Sequence, residues 1–252
     1  MSGATATAPH VMPDGSVSAD AVFTNALLEA LADRPAFAER HMLIGDRPQL
    51  RGLSGSARLL KRAFDLIGAT LILLIGAPVL LVAAVAIRLE GAGPVFFTQT
   101  RVGRHGRSFR IVKFRTMVVG ADQLKESLRE FNEASGLFKI AADPRVTRVG
   151  ALVRKTCIDE LPQLFNVLRG EMSLVGPRPL IPEEDRQIVG WHRARLQMAP
   201  GMTGHWQVQG AARVPLHEMV AIDCRYVANW TIWNDIKTLL KTVPCVLALR
   251  GI

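Results

Sequence analysis

From Leu66 to Ile87 the chain runs through 22 consecutive residues without a charge, LIGATLILLIGAPVLLVAAVAI. About 20 mostly apolar residues suffice for a helix to reach across a bilayer, and uncharged apolar stretches above about 18 residues point to lipid rather than a soluble core. This segment limits the fold more than any other, because what surrounds it must sit at a membrane. Pro78 lies near its middle, after Gly76 and Ala77. There it removes one helical hydrogen bond and crowds the preceding turn, which favours a kink. Both flanks are basic, with Arg58, Lys61 and Arg62 before the stretch and Arg88, Arg101, Arg104, Arg107 and Arg110 after it. A spanning helix would carry one basic flank across the membrane, against the cytoplasmic bias of Lys and Arg. A helix broken at Pro78 that enters and leaves by one face keeps both flanks in the cytoplasm. The expectation is a re-entrant membrane helix over about residues 62–89.

Residues 1–57 read differently. The first 20 are small and polar with no hydrophobic core of a signal peptide, and 21–32 have the spacing of a short helix. Residues 33–57 are punctuated by Pro35, Pro48, Gly52 and Gly55, so 1–57 is expected to be a largely disordered tail and linker ahead of a catalytic domain at 58–252. The charge balance is +9, from 31 Lys+Arg against 22 Asp+Glu. Such a surplus suits an anionic partner: lipid head groups, phosphorylated substrates or nucleic acid. Nucleic acid is disfavoured, because the basic region follows a membrane segment and carries no reader motif. Cys157, Cys224 and Cys245 form no CxxC pair, and the six histidines have no zinc-ligand spacing.

After the apolar stretch come PVFFTQT, a glycine-punctuated RVGRHGR and SFRIVKFRTM, a hairpin pattern centred on Gly103 and Gly106. In an extended strand Lys113 and Arg115 point to one face, where they can grip a diphosphate or rest on anionic lipid. Residues 121–135 are polar with a helical pattern. The C-terminal stretch places Ile232, Trp233, Ile236, Leu239, Leu240 and Val243 at helical spacing, which suits an interfacial helix or an amphipathic core helix. The fold class read from these elements is α/β, mostly α: a small membrane-associated catalytic domain with one Pro-broken membrane helix, a β-hairpin and interfacial amphipathic helices.

Asp159 and Glu160 are adjacent and precede Leu161-Pro162 and a run in which Leu161, Leu164, Phe165 and Leu168 have the helical spacing of one apolar face. Proline suits a first helical turn, so the pair sits at or just before a helix N-terminus. The helix dipole should keep Asp159 ionised there, and free N–H groups can face an anion. A divalent cation would relieve repulsion between two carboxylates and a phosphate. Acidic pairs in first turns also occur as plain helix capping. In GPRP, Gly176–Pro179, the prolines hold Arg178 on a stiff backbone suited to bidentate phosphate binding, or to a rigid turn with a solvated side chain. Arg154, five residues before Asp159, is a second phosphate ligand or a surface charge.

KRAFDL (61–66), the Pro-broken stretch, GPVFFTQTRVGRHGRSF (93–109), KFRTM (113–117), DELPQLFNVLRGEMSLVGPRP (159–179) and PGMTGHWQV (200–208) occur in one order. Together they closely resemble the bacterial sugar transferases, the polyprenyl-phosphate hexose-1-phosphate transferases with a single membrane helix, from about residue 58 to the C-terminus. The resemblance implies transfer of a sugar 1-phosphate from a UDP-sugar to polyprenyl phosphate in two steps. Asp159 is then the nucleophile, Glu160 and Asp159 hold Mg²⁺, and Arg154, Arg178, Lys113 and Arg115 meet substrate phosphates. It also implies a helix broken at Pro78, contact with membrane lipids and a place at the cytoplasmic face of the bacterial inner membrane. Ala77 and Cys157 stand where many relatives have serine, and self-association into a homo-oligomer is left open. The competing class is a non-catalytic membrane adaptor that binds anionic lipid or an assembly partner. Such an adaptor has no use for adjacent carboxylates inside a basic surface.

Overall fold

The computed structural model describes residues 53–125, 127–128, 130, 140, 143–208 and 215–247. All belong to one of the chain's two compact units, Pro48–Ile252. The helix expected at 21–32 and nearly all of the tail and linker lie outside the described residues, as does much of 121–135, where Gln123–Lys125 form a 3₁₀ turn.

The apolar stretch is the centre of a 36-residue helix, α1 (Gly55–Glu90), which begins earlier than expected because Ser54 caps it by accepting from the Ala57 N–H. The helix continues through Pro78. Its apolar side chains are largely uncovered, with Ile75 80% exposed, as expected of a helix whose solvent is lipid. Coverage is confined to the two ends. Near the start, Ala69, flanked by Phe64 and Leu73, packs into the main core with Phe109, Ile111, Leu164 and Leu174. Near the finish, Ala83 and Ile87 pack with Phe114 and Val153. Between them, Gly76–Val79 lie outside both clusters.

The basic flanks do different work from that read in the sequence. Lys61 is buried, its Nζ donating to Asp235 Oδ2 at 2.7 Å and to the Val175 carbonyl at 3.0 Å. Arg62 donates to the Val167 and Leu168 carbonyls at 2.6 and 2.8 Å. Those carbonyls end a short helix, where cations complement the unpaired C=O groups. These two residues are therefore internal ties. Charge alone cannot tell a tie from a lipid-facing residue.

The expected hairpin is present. β1 (Phe96–Val102) and β2 (Ser108–Phe114) pair antiparallel, Phe97 opposite Lys113 and Gln99 opposite Ile111, across a turn in which His105 and Gly106 both take positive φ. Next comes α2 (Arg148–Lys155), capped by Thr147, whose Oγ1 accepts from Gly150 N–H. A 3₁₀ turn (Ile158–Gln163) leads into α3 (Leu164–Arg169), closed by Gly170 in the left-handed region. The apolar spacing put Phe165 inward, but it is 43% exposed and Asn166 is buried instead. Asn166 Oδ1 accepts from the Val112 N–H, while Nδ2 donates to the Arg110 carbonyl and to Glu171. It satisfies backbone groups at the edge of β2 that would otherwise be costly to bury.

β3 (Ser173–Val175) and β4 (Gly201–Thr203) form a parallel pair too short to show alternation in sequence. α4 (Pro182–Asp185) lies between Leu180 and Ile188, which join residues of a 3₁₀ segment (Gly190–Gln197), α5 (His205–Val208) and α6 (Leu216–Ala228) in a second apolar cluster around Leu180, Trp206 and Met219. The last helix, α7 (Ile232–Leu247), turns Asp235 and Thr238 inward and leaves Trp233, Leu240 and Val243 exposed. The described residues are thus mostly helical, with two small sheets and one helix long and apolar enough to cross a membrane.

Candidate active site

The six candidate side chains read from the sequence, Lys113, Arg115, Arg154, Asp159, Glu160 and Arg178, all line one open cavity of about 1640 Å³. The dyad enters it from the 3₁₀ turn. Cys157, at φ 56°, reverses the chain after α2, and Pro162 starts the helical path into α3 without losing a needed N–H. Lys113 comes from β2 and forms a 2.6 Å ion pair with Glu160. Arg154, from α2, is fixed by donating from Nε to Thr116 Oγ1 at 2.7 Å.

The two carboxyls are held in opposite states of readiness. Burial pushes Asp159 up to about 6, the neighbouring Glu160 charge adds to this, and Lys113 and Arg154 oppose it. The helix terminus was expected to hold this acid low; burial outweighs it, because the turn is short and the carboxyl loses water. At pH 7 an acid of pKa about 6 is still about 90% ionised. Burial also disfavours the charged form of Glu160, but Lys113, through charge and hydrogen bond, and then Arg178 and Arg101 hold it below the usual range. The dyad therefore pairs a firmly ionised glutamate with an aspartate whose charge is less stabilised and more available for bonding.

Arg178 is mounted at both ends of its own peptide unit. Its N–H donates to Asp223 Oδ2 at 3.1 Å, and its carbonyl accepts from Arg195 Nη2. Arg195 is fully buried and also pairs with Asp223 at 3.0 Å. The strand before it approaches β4 so closely that a Cβ on Gly176 would stand 2.5 Å from the Ala199 carbonyl and 2.7 Å from the Gly201 nitrogen. Glycine is required there for packing. Trp206 stacks under the Arg178 guanidinium, 4.8 Å from ring centroid to guanidinium carbon.

Arg115 differs from Lys113. Its guanidinium clasps the carbonyls of Ile87, Gly91 and Ala92 at 2.8–3.2 Å, tying the end of α1 to the strand that carries Lys113. It borders the cavity with its donors engaged by those carbonyls. Sequence reasoning also passed over Arg101, Trp206, Arg195 and Asp223. Only Arg101 carried a usable signal, since Phe97, Gln99 and Arg101 share one face of β1.

A family model described as bacterial sugar transferase matches residues 56–249. This chain belongs to that family. Galactosyl transferase CpsE of Streptococcus agalactiae is 46% identical over 193 residues, 76% of this chain and 43% of that protein. The undecaprenyl-phosphate galactose phosphotransferase of Salmonella typhimurium is 45% identical over 201 residues, 78% of this chain and 42% of that protein. Exopolysaccharide production protein ExoY of Rhizobium meliloti is 40% identical over 211 residues, covering 80% of this chain and 90% of that protein. The chain thus spans less than half the length of the first two relatives. Within the transferase domain they share, DELPQL and GPRP supply the dyad and the mounted arginine just described.

Proposed function

We propose that this sugar transferase moves a sugar 1-phosphate from a UDP-sugar to polyprenyl (undecaprenyl) phosphate, releasing UMP, as the first membrane step of exopolysaccharide, capsule or glycan assembly. The observation that carries the reading is the Asp159–Glu160 dyad set among Lys113, Arg154 and Arg178 in a cavity beside an uncovered apolar helix. Both substrates are phosphate anions, and one is a lipid.

In the first step an Asp159 carboxylate oxygen bonds to the β-phosphorus, and the bond from that phosphorus to the bridging oxygen breaks. UMP departs with the bridging oxygen and the electron pair, leaving an aspartyl phosphosugar. In the second step an oxygen of polyprenyl phosphate attacks the same phosphorus and Asp159 leaves as carboxylate. Both leaving groups are stable anions, so neither step needs a general acid. The requirement is an ionised nucleophile with fixed cations around the transferring phosphoryl group. Arg154 and Lys113 flank the dyad, and Arg178 holds donor phosphate on its stiff mount.

Among the described residues no three His, Cys, Asp or Glu cluster. Two adjacent carboxylates facing a phosphate cavity fit Mg²⁺, which binds through one or two carboxylates together with substrate phosphates. Asp159 and Glu160 would hold it, and it supplies neutralising charge to the diphosphate.

The membrane helix is read as re-entrant, bent at Pro78, with the catalytic part on the cytoplasmic face of the inner membrane. Support comes from its two ends. Ala69 and Ala83–Ile87 pack on clusters of the same compact unit, an arrangement that suits a helix entering and leaving by one face. The cytoplasm is also where sugar nucleotides are found.

The test is Asp159→Asn. With a panel of radiolabelled UDP-sugars, undecaprenyl phosphate and Mg²⁺, the wild type should transfer label and show a phosphosugar adduct on Asp159 by mass spectrometry. The variant should do neither, yet sediment with membranes as before. Turnover retained by the variant refutes the nucleophile assignment.

A further inference from the structure

One end of the cavity holds two cations whose hydrogen-bonding capacity the described residues leave partly unused. The Arg178 guanidinium donates to no atom among the described residues, and its Nε is buried without a partner. Arg101 reaches the same place from β1. Its Nη1 donates to the carbonyl of Pro179, the residue after Arg178, at 3.0 Å, and Nη2 donates to Gln99 Oε1 at 2.6 Å. Its Nε is likewise buried and unpartnered among the described residues. Burial, and then the charge of Arg178, draw Arg101 down to about 10. Glu184 and Glu160 supply opposing charge, but among the described residues neither forms an ion pair with either arginine. Two half-desolvated guanidiniums with spare donors are unfavourable alone and favourable around an anion.

The strand supplies the direction. Along the cavity face of β1 the side chains pass from Phe97 through Gln99 to Arg101. The Phe97 end continues into Pro94 and the exposed Val119, beside the end of α1 that Arg115 clasps. Arg101 lies four residues away along the strand, about 13 Å. The apolar end thus adjoins the C-terminal end of the membrane helix, and the doubly cationic end lies further along the strand from that point. A water-soluble anionic substrate fits the second end.

We propose that Arg101 and Arg178 form a two-guanidinium clamp for the diphosphate of the nucleotide donor, with Arg101 a donor-binding residue in its own right. The clamp rests on the transferase reading and deepens it. It holds the α-phosphate that leaves with the nucleoside monophosphate, while Lys113 and Arg154 attend the phosphorus that Asp159 attacks.

The experiment uses the full chain in nanodiscs and UDP as the probe. Loss of one charge-assisted contact weakens binding about tenfold or more. Calorimetry should therefore show UDP affinity falling at least tenfold in Arg101→Gln and less in Arg101→Lys, which keeps the charge but not the fork. Arg107→Gln, on the exposed hairpin turn, should bind like wild type. In turnover, KM for the donor should rise in Arg101→Gln with KM for the acceptor lipid unchanged. UDP affinity within twofold of wild type in Arg101→Gln overturns the clamp. So does a parallel rise of both KM values, or a collapse of the melting midpoint that Arg101→Lys does not restore, since either marks a merely structural residue. The two readings fail separately. An Asp159 adduct with Arg101-independent UDP binding sinks the clamp alone, whereas Arg101-dependent UDP binding with no adduct from any donor sinks the transfer chemistry alone.

Discussion

Replacing Lys61 by methionine isolates the tie between the membrane helix and the rest of the domain. Lys61 is 6% exposed and Asp235 is completely buried, with 2.7 Å between Nζ and Oδ2. Removing the ammonium leaves Asp235 with two neutral donors, Tyr226 Oη at 2.7 Å and Trp230 Nε1 at 3.0 Å. It also takes the nearest cation, 4.0 Å away, from Asp65, which keeps Ser173 Oγ and the Leu174 N–H. Breaking a buried ion pair by removing one partner costs about 3–5 kcal/mol. The donors that remain place this case at the low end, about 3 kcal/mol. For a domain of this size each kcal/mol moves the melting midpoint by about 2–4 °C. The apparent midpoint of Lys61→Met in nanodiscs, followed by tryptophan fluorescence, should therefore fall by about 6–12 °C. Adding Asp235→Asn removes the orphaned charge and keeps an acceptor for one of Tyr226 and Trp230, which bond different oxygens of the carboxylate, and should recover part of the loss. A Lys61→Met midpoint within about 2 °C of wild type would show that the ammonium is solvated and the tie is not there.

The rate of adduct formation on Asp159 should follow its ionised fraction, since the acid form is no nucleophile. With the carboxyl at about 6, the rate should be near its plateau at pH 7 and fall to about a tenth of it at pH 5; single-turnover labelling across pH measures this, and a flat profile down to pH 5 contradicts it. Gly176→Ala should weaken both fold and transfer, because its Cβ would meet backbone rather than a yielding side chain. The expected cost is about 1–3 kcal/mol, read as a lower melting midpoint and a reduced kcat.

The hairpin, the turn before α3 and the last helix were all legible because each depends on near neighbours in the chain. Glycine marks the hairpin turn, Pro162 fits an opening helical turn, and Ile232 to Val243 keep one period. What stayed hidden depends on distant partners. Lys61 and Asp235 are 174 residues apart, and nothing local distinguishes a buried lysine from one facing lipid. Arg101 looks like Arg104, Arg107 and Arg110 until the pleat places it in the cavity and leaves the others exposed. Phe165 followed the apolar spacing, yet Asn166 won the inward position because unpaired N–H and C=O groups at the edge of β2 had to be met. The dyad was found by its neighbours and Asp159 is ionised at pH 7 as expected, but the upward push of burial on it was not legible, since removal from water is set by the whole fold.

The clasp of Arg115 fixes a height as well as a fold. It binds the Ile87 carbonyl in the last turn of α1 and the Gly91 carbonyl just past it, only two residues beyond Lys113, a rise of about 7 Å along an extended strand. In the proposed reaction, with α1 seated in lipid, that short ruler would set the level of the dyad close to the plane of the head groups. A lipid acceptor would then present its phosphate from where it already floats. Its isoprenoid tail would stay in oil throughout, and no free energy would go into hauling the lipid towards water.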